Sequence, residues 1–380
     1  MRFRNFLIYV IVFCLTDLAL WFLAPFGMGI WCRMLFLLPT LALALCLPFI
    51  RFGIRYTETM KVFSYITFII EVPIIVAVLF CAVLRYVAGL SFPLADGIAA
   101  ALGAIVSLTF MVLIFFVSRH LRINRVDLSF EGLPEGFDGL RICQLSDMHL
   151  GSFGGRCRYV KRIIDAVGEL SPELILFTGD LVNFQASEAL PYLGELSRLS
   201  APMGVYAILG NHDYMMHGKH YSEERKKTDT ARLLEMEKGL GWHLLLNDNV
   251  TLTRNGGSIA LAGVENISTN PAFTNTGGDL KKALSGLPDG MFTILLSHDP
   301  SHWGSEVVSR GGVPLTLSGH THGLNLKIVG KSAHWRLPFP RGLYTRDGYV
   351  LHVSRGLGSS FAFRLGVFPR IDLITLNVKK

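Results

Sequence analysis

The chain has 380 residues, of which 51% are hydrophobic and 17% are charged, and its formal net charge is +7 at pH 7. This length allows two or three domains, and the charged fraction is below the roughly 25% that is typical of soluble proteins. The six cysteines include no CxxC pair, which argues against a disulfide framework or a thiolate zinc site and fits a reducing compartment. Charge is scarcest in residues 1–118, which hold seven Lys or Arg and four Asp or Glu. The sequence therefore indicates an apolar part followed by a soluble part.

Four apolar runs occupy the first part of the chain, at residues 6–24, 34–50, 62–84 and 98–117. Each is close to the ~20 residues that a helix needs to cross a bilayer, so residues 1–118 are predicted to form a membrane domain, a bundle of four transmembrane helices. The first run has the basic start of a signal peptide, but it lacks an A-x-A cleavage site and three further runs follow it. An uncleaved anchor is therefore the preferred interpretation.

Basic residues flank these runs unequally. Eight lie at the N-terminus, in the second loop or after the fourth run, namely Arg2, Arg4, Arg51, Arg55, Lys61, Arg119, Arg122 and Arg125. The first and third loops, on the other side of the predicted membrane domain, have only Arg33 and Arg85. Because loops rich in Lys and Arg stay in the cytoplasm, we expect a multi-pass protein of the bacterial cytoplasmic (inner) membrane. Both termini and the large C-terminal part are predicted to lie on the cytoplasmic side.

Two acidic residues, Asp17 and Glu71, lie inside the apolar runs. A carboxylate in hydrocarbon is unfavourable unless it is paired or hydrated. One interpretation is a proton or ligand path between the helices. The other is a pair of neutral carboxylic acids that form hydrogen bonds within a small helical bundle.

The soluble part begins with a juxtamembrane linker and a first strand, predicted for residues 119–139. Strands and helices then alternate through residues 140–380. Strands are predicted at residues 126–130, 141–146, 173–178, 205–209, 242–246, 250–254, 258–264, 292–296, 313–317, 349–353 and 371–377, and helices at 158–170, 187–199, 228–240 and 280–284. The alternation argues for an α/β layered domain, and the later consecutive strands argue for a second sheet packed on the first.

Five polar clusters each follow a strand-like apolar run. Their candidate functional side chains are Asp147 and His149, then Asp180, then Asn211 and His212, then His298, and finally His320 and His322. Polar groups placed just after strands collect along one edge of an α/β sheet. We therefore expect these side chains to meet in one pocket.

The collected donors are two carboxylates, one amide and five imidazoles, without a thiolate. Such mixed ligands suit Mn, Fe, Zn, Co or Ni, and so many groups suggest a pair of divalent ions. A carboxylate is the natural bridge, for which Asp180 is the candidate. Two ions suit in-line attack of water on phosphorus, and His212 is the candidate for protonating the leaving group.

The order D-x-H, GD, GNHD, H and GHTH resembles the calcineurin-like metallophosphoesterase superfamily from about residue 140 onward. The resemblance implies a β-sandwich flanked by helices and a metal-dependent phosphoric ester hydrolase with two divalent ions, Mn²⁺ being the first choice. By this resemblance one ion is held by Asp147, His149, Asp180 and His322, and the other by Asp180, Asn211, His298 and His320. His212 would then act on the leaving group.

One position departs from the pattern of some family members. They carry a second Asp three residues after the Asp of the GD motif, and it orients the catalytic His. This chain has Asn183 at that position. The sequence leaves open whether His212 lacks a charged partner or whether Asp213 supplies one.

The fragments QLSDMHLG, TGDLV, LLSHDPSHW, LSGHTHG and VSRGLG resemble a bacterial membrane-associated branch that includes phosphodiesterases for lipid or nucleotide-sugar-lipid phosphates. We therefore expect the lipid bilayer and a phosphate ester, such as a lipid phosphate, as partners, and we do not expect nucleic acid. Gly356 and Gly358 can cradle a phosphate near Arg355 or form an ordinary tight turn. Two alternative functions are an inactive scaffold of the same fold and a membrane sensor or transporter.

Overall fold

The structure of the protein is a computed structural model. The residues it describes are 7–8, 10–15, 17–18, 37–48, 59, 62–63, 65–216, 221–270, 277–323, 327–328, 331–332, 338–359, 364 and 367–379. The chain forms two compact units, one of Met1–Val117 with Phe361–Leu365 and one of Ser118–Ser360 with Gly366–Lys380.

The first unit is helical. Its helices are α1 (Leu38–Leu45), α2 (Val72–Tyr86), which follows the π-helical segment Ile66–Glu71, and α3 (Phe92–Phe115). Two stretches of the described residues, Ile66–Tyr86 and Leu94–Phe115, are long and apolar enough to cross a membrane. Only 17% and 11% of their most apolar windows are buried within the protein, so most of this apolar surface is left for a lipid environment.

The predicted bundle of four transmembrane helices is wrong for the described part of the chain, which contains two candidate spans. The predicted runs at residues 6–24 and 34–50 are described only in part, at residues 7–8, 10–15, 17–18 and 37–48. Within the second run, α1 has 8 residues, which is fewer than the ~20 needed to span the hydrocarbon core.

The two acidic residues predicted within apolar runs are buried in this unit. Asp17 is 1% exposed and Glu71 is 0% exposed. The hydroxyl of Thr40 donates a hydrogen bond to the carboxylate of Asp17. Asp17 thus has a polar partner, as an acidic group in an apolar environment requires.

The second unit contains two mixed sheets of six strands each. The strands in chain order are β1 (Arg122–Phe130), β2 (Leu140–Leu145), β3 (Leu174–Phe177), β4 (Val205–Ala207), β5 (His243–Leu244), β6 (Asp248–Arg254), β7 (Gly257–Gly263), β8 (Thr293–Leu296), β9 (Leu315–Ser318), β10 (Lys327–Ile328), β11 (Lys331–Ser332), β12 (Gly342–Arg346), β13 (Tyr349–Val353) and β14 (Arg370–Val378). The first sheet has the order β1-β14-β2-β3-β4-β5 and the second has the order β12-β13-β9-β8-β7-β6, while β10 and β11 form a separate pair.

The two sheets pack face to face, with helices on their outer sides. Along β2, the side chain of Ile142 belongs to the core between the sheets, whereas that of Cys143 packs with residues of the outer helices. Because both faces are covered, β3, β8 and β9 are buried throughout and are apolar runs without polar alternation. The predicted α/β fold with a second sheet packed on the first is confirmed, and the structure shows that both sheets are mixed.

The helices of the second unit differ from the predicted ones in extent. They are α4 (Cys157–Leu170), α5 (Leu193–Leu196), α6 (Glu223–Gly239), α7 (Leu280–Ala283) and α8 (Val308–Arg310), the last preceded by the π-helical segment Trp303–Val307. The predicted helix at 187–199 is wrong over most of its length, because 3₁₀ turns occupy Ala186–Glu188 and Leu190–Tyr192. Pro191 lies in the second turn and cannot donate the hydrogen bond that a longer helix would need.

The strand β12 went unrecognised in the sequence, and the helix α6 starts earlier than predicted. β12 pairs antiparallel with β13 through a turn at Asp347 and Gly348, whose φ angles are 53° and 81°. Such a turn is the hairpin signal that an Asp-Gly pair gives. α6 begins before the predicted residue 228 because the hydroxyl of Ser222 accepts a hydrogen bond from the Arg225 amide and caps the helix.

Strand direction determines where the polar clusters lie. β2, β3 and β4 are parallel neighbours in the first sheet, and β7, β8 and β9 are parallel neighbours in the second. The carboxyl ends of parallel strands meet at one edge of a sheet. The loops that leave β2, β3, β4, β8 and β9 carry the polar clusters found in the sequence.

Candidate metal centre

The loops at this edge turn sharply at the candidate ligands. Left-handed backbone conformations occur at Asp147, His149, Asp180, His320 and His322, with φ of 49°, 45°, 62°, 69° and 51°. Residues other than glycine rarely adopt this conformation, which costs on the order of 1–3 kcal/mol and is concentrated at functional sites. Half of the ten non-glycine residues with positive φ among the described residues therefore belong to one candidate site.

Asp147, His149 and His322 form the first ligand group. The Nε2 atoms of His149 and His322 lie 3.0 Å apart. Asp147 Oδ1 is 3.6 Å from His322 Nε2 and 4.0 Å from His149 Nε2. Asp147 and His149 follow β2 of the first sheet, whereas His322 follows β9 of the second. Both sheets therefore contribute side chains to this group.

Asp180, His298, His320 and Asn211 form the second ligand group. Asp180 Oδ2 lies 3.1 Å from His298 Nε2, and Asn211 Oδ1 lies 2.9 Å from His320 Nδ1. The Nδ1 of His298 is 2.6 Å from the carbonyl oxygen of Thr178, to which it can donate. This hydrogen bond directs the Nε2 of His298 towards the site.

Asp180 joins the two groups. Its Oδ2 atom is also 3.5 Å from His149 Nε2 in the first group, and its Oδ1 accepts a hydrogen bond of 2.9 Å from the main-chain amide of His212. The structure thus brings together all eight residues that the sequence selected, with Asp180 in the middle.

The buried charged groups at the site shift one another's pKa values. Burial raises the pKa of Asp147 to about 6, and the nearby carboxylate of Asp180 adds to the rise. Burial would also raise the pKa of Asp180, but the positive charges of His298 and His212 hold it well below the usual range. Burial lowers the pKa of His298, yet Asp180 outweighs it and raises this pKa to about 10. Positive charge at this position therefore stabilises the Asp180 carboxylate.

This donor set fits divalent metal ions. Three sets of donor atoms converge to within 4.8 Å of one another: Asp147, His149 and His322; His149, Asp180 and His212; and Asp180, His298 and His320. The facing Nε2 atoms of His149 and His322 cannot both carry a proton without repulsion, whereas a cation can accept both lone pairs. Oxygen and imidazole ligands of this kind suit first-row divalent metals.

His212 lies beside the first group. Its ring is 4.7 Å from the ring of His149 between centroids, and its Nδ1 is 2.7 Å from the main-chain carbonyl oxygen of Asn183. Burial lowers the pKa of His212, while the charge of Asp180 and the Asn183 carbonyl oppose this effect. The main chain of residue 183, not its side chain, therefore orients the ring.

The two side chains considered as partners of His212 have other contacts. Asn183 Nδ2 donates to the carbonyl oxygen of Ser359 at 3.3 Å. The Asp213 carboxylate accepts hydrogen bonds from the main-chain amides of Asp180, Leu181, Val182 and Gly210, at distances of 2.7–3.2 Å. Asp213 thus joins the loops after β3 and β4, a role that sequence reasoning missed although the residue stands within the GNHD motif.

Two glycines allow neighbouring loops to lie against the carboxylates of Asp180 and Asp147. A Cβ atom at Gly210 would overlap the Oδ1 atom of Asp180, and one at Gly319 would overlap the Oδ2 atom of Asp147. Both carboxylates can therefore approach the neighbouring loops only because these positions have no side chain.

Comparisons with known proteins show which family this chain resembles. A family model described as calcineurin-like phosphoesterase matches residues 140–324. The chain is 31% identical over 264 residues to a transmembrane protein with metallophosphoesterase domain of Danio rerio, covering 68% of this chain and 57% of that protein. It is 32% identical over 256 residues to the metallophosphoesterase YkuE of Bacillus subtilis, covering 64% and 82%.

A third relative is the UDP-2,3-diacylglucosamine pyrophosphatase LpxG of Chlamydia muridarum. It is 29% identical over 332 residues, which cover 72% of this chain and 97% of that protein. The chain spans 57% of the length of the fish protein and also 57% of its bovine counterpart. The chain belongs to the calcineurin-like metallophosphoesterase family.

Proposed function

We propose that this protein is a membrane-anchored phosphodiesterase with two metal ions, which hydrolyses a lipid-linked or membrane-proximal phosphate ester. The observation that carries the proposal is the position of Asp180 between two groups of ligands. Its Oδ2 atom is 3.5 Å from His149 Nε2 and 3.1 Å from His298 Nε2. A single carboxylate so placed is suited to bridging two ions.

The ligands divide between the two ions as follows. Asp147, His149, Asp180 and His322 would hold the first ion, and Asp180, Asn211, His298 and His320 the second. Mn²⁺ is the first choice, and Fe, Zn, Co or Ni would suit the same oxygen and nitrogen ligands. When bound, such a pair polarises phosphoryl oxygens and lowers the pKa of water.

The chain's own residues would orient the substrate and move protons. We assign His212 as the general acid for the leaving alcohol. Its Nδ1 is 2.7 Å from the Asn183 carbonyl oxygen, and donation there fixes the ring, so the transferred proton would be carried on Nε2. A positioned proton donor of this kind contributes roughly 10²–10⁴-fold to the rate.

Membrane attachment supports the lipid-linked substrate. The stretches Ile66–Tyr86 and Leu94–Phe115 are candidate spans, and we propose that they anchor the protein in the membrane as a multi-pass protein. The relatives named as a transmembrane protein and as a pyrophosphatase of a diacylated sugar nucleotide favour the same class of substrate. In the second unit, the guanidinium of Arg122 stacks 4.0 Å from the centroid of the Phe368 ring, an arrangement that suits a headgroup region.

We propose that the catalytic domain lies on the cytoplasmic side of the bacterial inner membrane, because the flanking basic residues favour that orientation. A phosphatase reporter and a fluorescent reporter fused separately to Lys380 test this orientation. We expect the fluorescent fusion alone to be active, since it matures in the cytoplasm. An active phosphatase fusion, which requires export, would refute the orientation.

The proposed function is tested with the full-length protein in detergent micelles, supplied with each metal in turn. The substrates are a phospholipid, a nucleotide-sugar lipid, a cyclic nucleotide and an aryl phosphate monoester. We expect Mn²⁺-dependent hydrolysis that favours the lipid-linked diesters. An Asp180→Asn preparation controls for contaminating phosphatases. Turnover of the monoester alone, or equal turnover in the Asp180→Asn preparation, would refute the proposal.

A further inference from the structure

The imidazole of His320 has a different oxygen next to each of its two ring nitrogens. Its Nδ1 atom is 2.9 Å from Oδ1 of Asn211, which is a proposed ligand of the second ion. Its Nε2 atom is 3.5 Å from Oδ2 of Asp299, a residue that has no part in the proposed reaction. The two nitrogens of an imidazole point away from each other, so a single ion can bind only one of them. The contact made by the other nitrogen determines which one it is.

The carboxylate of Asp299 is held in place by its own loop. Asp299 directly follows the proposed ligand His298, and it is only 5% exposed. Its Oδ1 atom accepts a hydrogen bond of 2.8 Å from the main-chain amide of Ser301, and its side chain also forms a hydrogen bond with that of Ser268. These contacts fix the carboxylate with its Oδ2 atom towards His320.

The ring of His320 is also fixed by its neighbours. It packs edge to face against the ring of His298, with 5.2 Å between the centroids and an interplanar angle of 78°. The amide of Gly319 donates to the carbonyl oxygen of His298 at 3.0 Å, which ties the two loops together. Rotation of the His320 ring by 180° would put carbon atoms where the two nitrogens now lie, and the contacts with Asn211 and Asp299 would both be lost.

We propose that Asp299 is a positioning residue, which accepts a hydrogen bond from Nε2 of His320 and thereby leaves the Nδ1 lone pair for the second ion. This inference rests on the proposed function, because it concerns one of the two proposed ions. A carboxylate that accepts from the far nitrogen of a metal-binding imidazole fixes the tautomer and the ring orientation, and it makes the ligating nitrogen more basic.

The two histidines of the second ligand group would then use opposite nitrogens. In His298 the Nδ1 atom is 2.6 Å from the carbonyl oxygen of Thr178, so this ring presents Nε2 to the site. In His320 the acceptor lies on the side of Nε2, so this ring presents Nδ1. Because a hydrogen bond to a charged acceptor is stronger than one to a neutral carbonyl, the loss of Asp299 should weaken metal binding measurably.

The first test is a titration of the full-length protein in detergent with Mn²⁺, in which bound metal per chain is measured. Asp299→Asn keeps the shape of the side chain and one oxygen for the Ser301 amide, but it lacks a second oxygen for His320. We expect the affinity for one ion to fall about 10–100-fold, the usual effect of losing a residue that supports a metal ligand. The other ion should keep its wild-type affinity.

Asp279→Asn is the matched control. Asp279 is an exposed aspartate whose Oδ1 atom accepts a hydrogen bond of 2.9 Å from the Lys282 amide at the start of α7. It therefore has the same kind of main-chain contact as Asp299 but lies outside the ligand groups, and its variant should bind both ions like the wild type. Thermal unfolding of each variant shows whether it is folded.

The second test identifies the metal-bound nitrogen directly. Full-length protein with ¹⁵N-labelled histidine is loaded with Zn²⁺, and long-range ¹H–¹⁵N correlation spectra are recorded. The signals of His320 are assigned by their absence in His320→Asn. We expect metal on Nδ1 and hydrogen on Nε2, an outcome that a purely structural role of Asp299 in its own loop would not require.

Three results would overturn the role of Asp299 while leaving the proposed function intact. They are wild-type affinity for both ions in Asp299→Asn, an equal loss of both ions in that variant, and metal bound to Nε2 of His320. A wild-type protein that binds fewer than two ions would instead refute the proposed function, and this inference with it.

Discussion

In the Asp180→Ala variant of the full-length protein, we expect both metal ions to be lost and hydrolysis to be nearly abolished. Asp180 Oδ2 lies 3.5 Å from His149 Nε2 and 3.1 Å from His298 Nε2, so its removal takes an oxygen from both ligand groups. Substitution of a residue that only supports a metal ligand lowers metal affinity about 10–100-fold. Loss of a ligand shared by both ions should therefore lower the affinity for each ion by at least this factor. His322→Ala removes a ligand from the first group alone.

The measurement is metal content by elemental analysis after equilibration at a fixed free Mn²⁺ concentration. Asp127→Ala is the control, since Asp127 is an exposed aspartate on β1 and should bind metal like the wild type. Asp180→Asn keeps the shape of the side chain and separates loss of charge from loss of packing. Equal metal loss in Asp180→Ala and His322→Ala would show that Asp180 does not serve both ions.

The second large effect is expected for His212. If His212 is the general acid and not a ligand, His212→Asn keeps both metal ions but loses roughly 10²–10⁴-fold in kcat. The loss should depend on the leaving group. An aryl alcohol of low pKa leaves without a proton, so the defect should be small, whereas an alkyl alcohol needs the proton and the defect should be large.

The readouts are kcat on an aryl and an alkyl diester, with metal content measured on the same preparations. His243→Asn is the matched control, because His243 is an exposed histidine on β5 that stacks on Tyr206 and should have wild-type kinetics. A His212→Asn enzyme that is equally slow on both diesters and keeps its metals would indicate phosphate binding by His212, not proton donation.

Sequence reasoning selected the candidate ligands because each of them follows a predicted strand. Asp147, Asp180 and Asn211 come directly after apolar runs that are buried on both faces, and parallel strand direction then places them at one edge. The pattern that reveals the strands thus also reveals where the polar side chains meet. The helical spacing of apolar residues was misleading at residues 187–199. The structure forms 3₁₀ turns there, at Ala186–Glu188 and Leu190–Tyr192, the second of which contains Pro191.

The sequence pattern did not predict contacts between residues that are distant in the chain. Nothing local indicates that Asp213 accepts four main-chain hydrogen bonds from two loops, or that Asn183 meets His212 through its carbonyl oxygen. The approach of both Arg341 and Arg355 to Gly323 is also not indicated by any local pattern. Such arrangements follow from how the two sheets pack, which the order of the elements does not determine.

The most direct test of the central claim is the number of divalent ions that the active protein binds. Full-length wild-type protein in detergent would be titrated with Mn²⁺ while bound metal and diester hydrolysis are followed together. We predict two ions per chain, with activity reaching its maximum only when both are bound, because Asp180 stands between two candidate ligand groups. Full activity with one ion per chain would contradict this account.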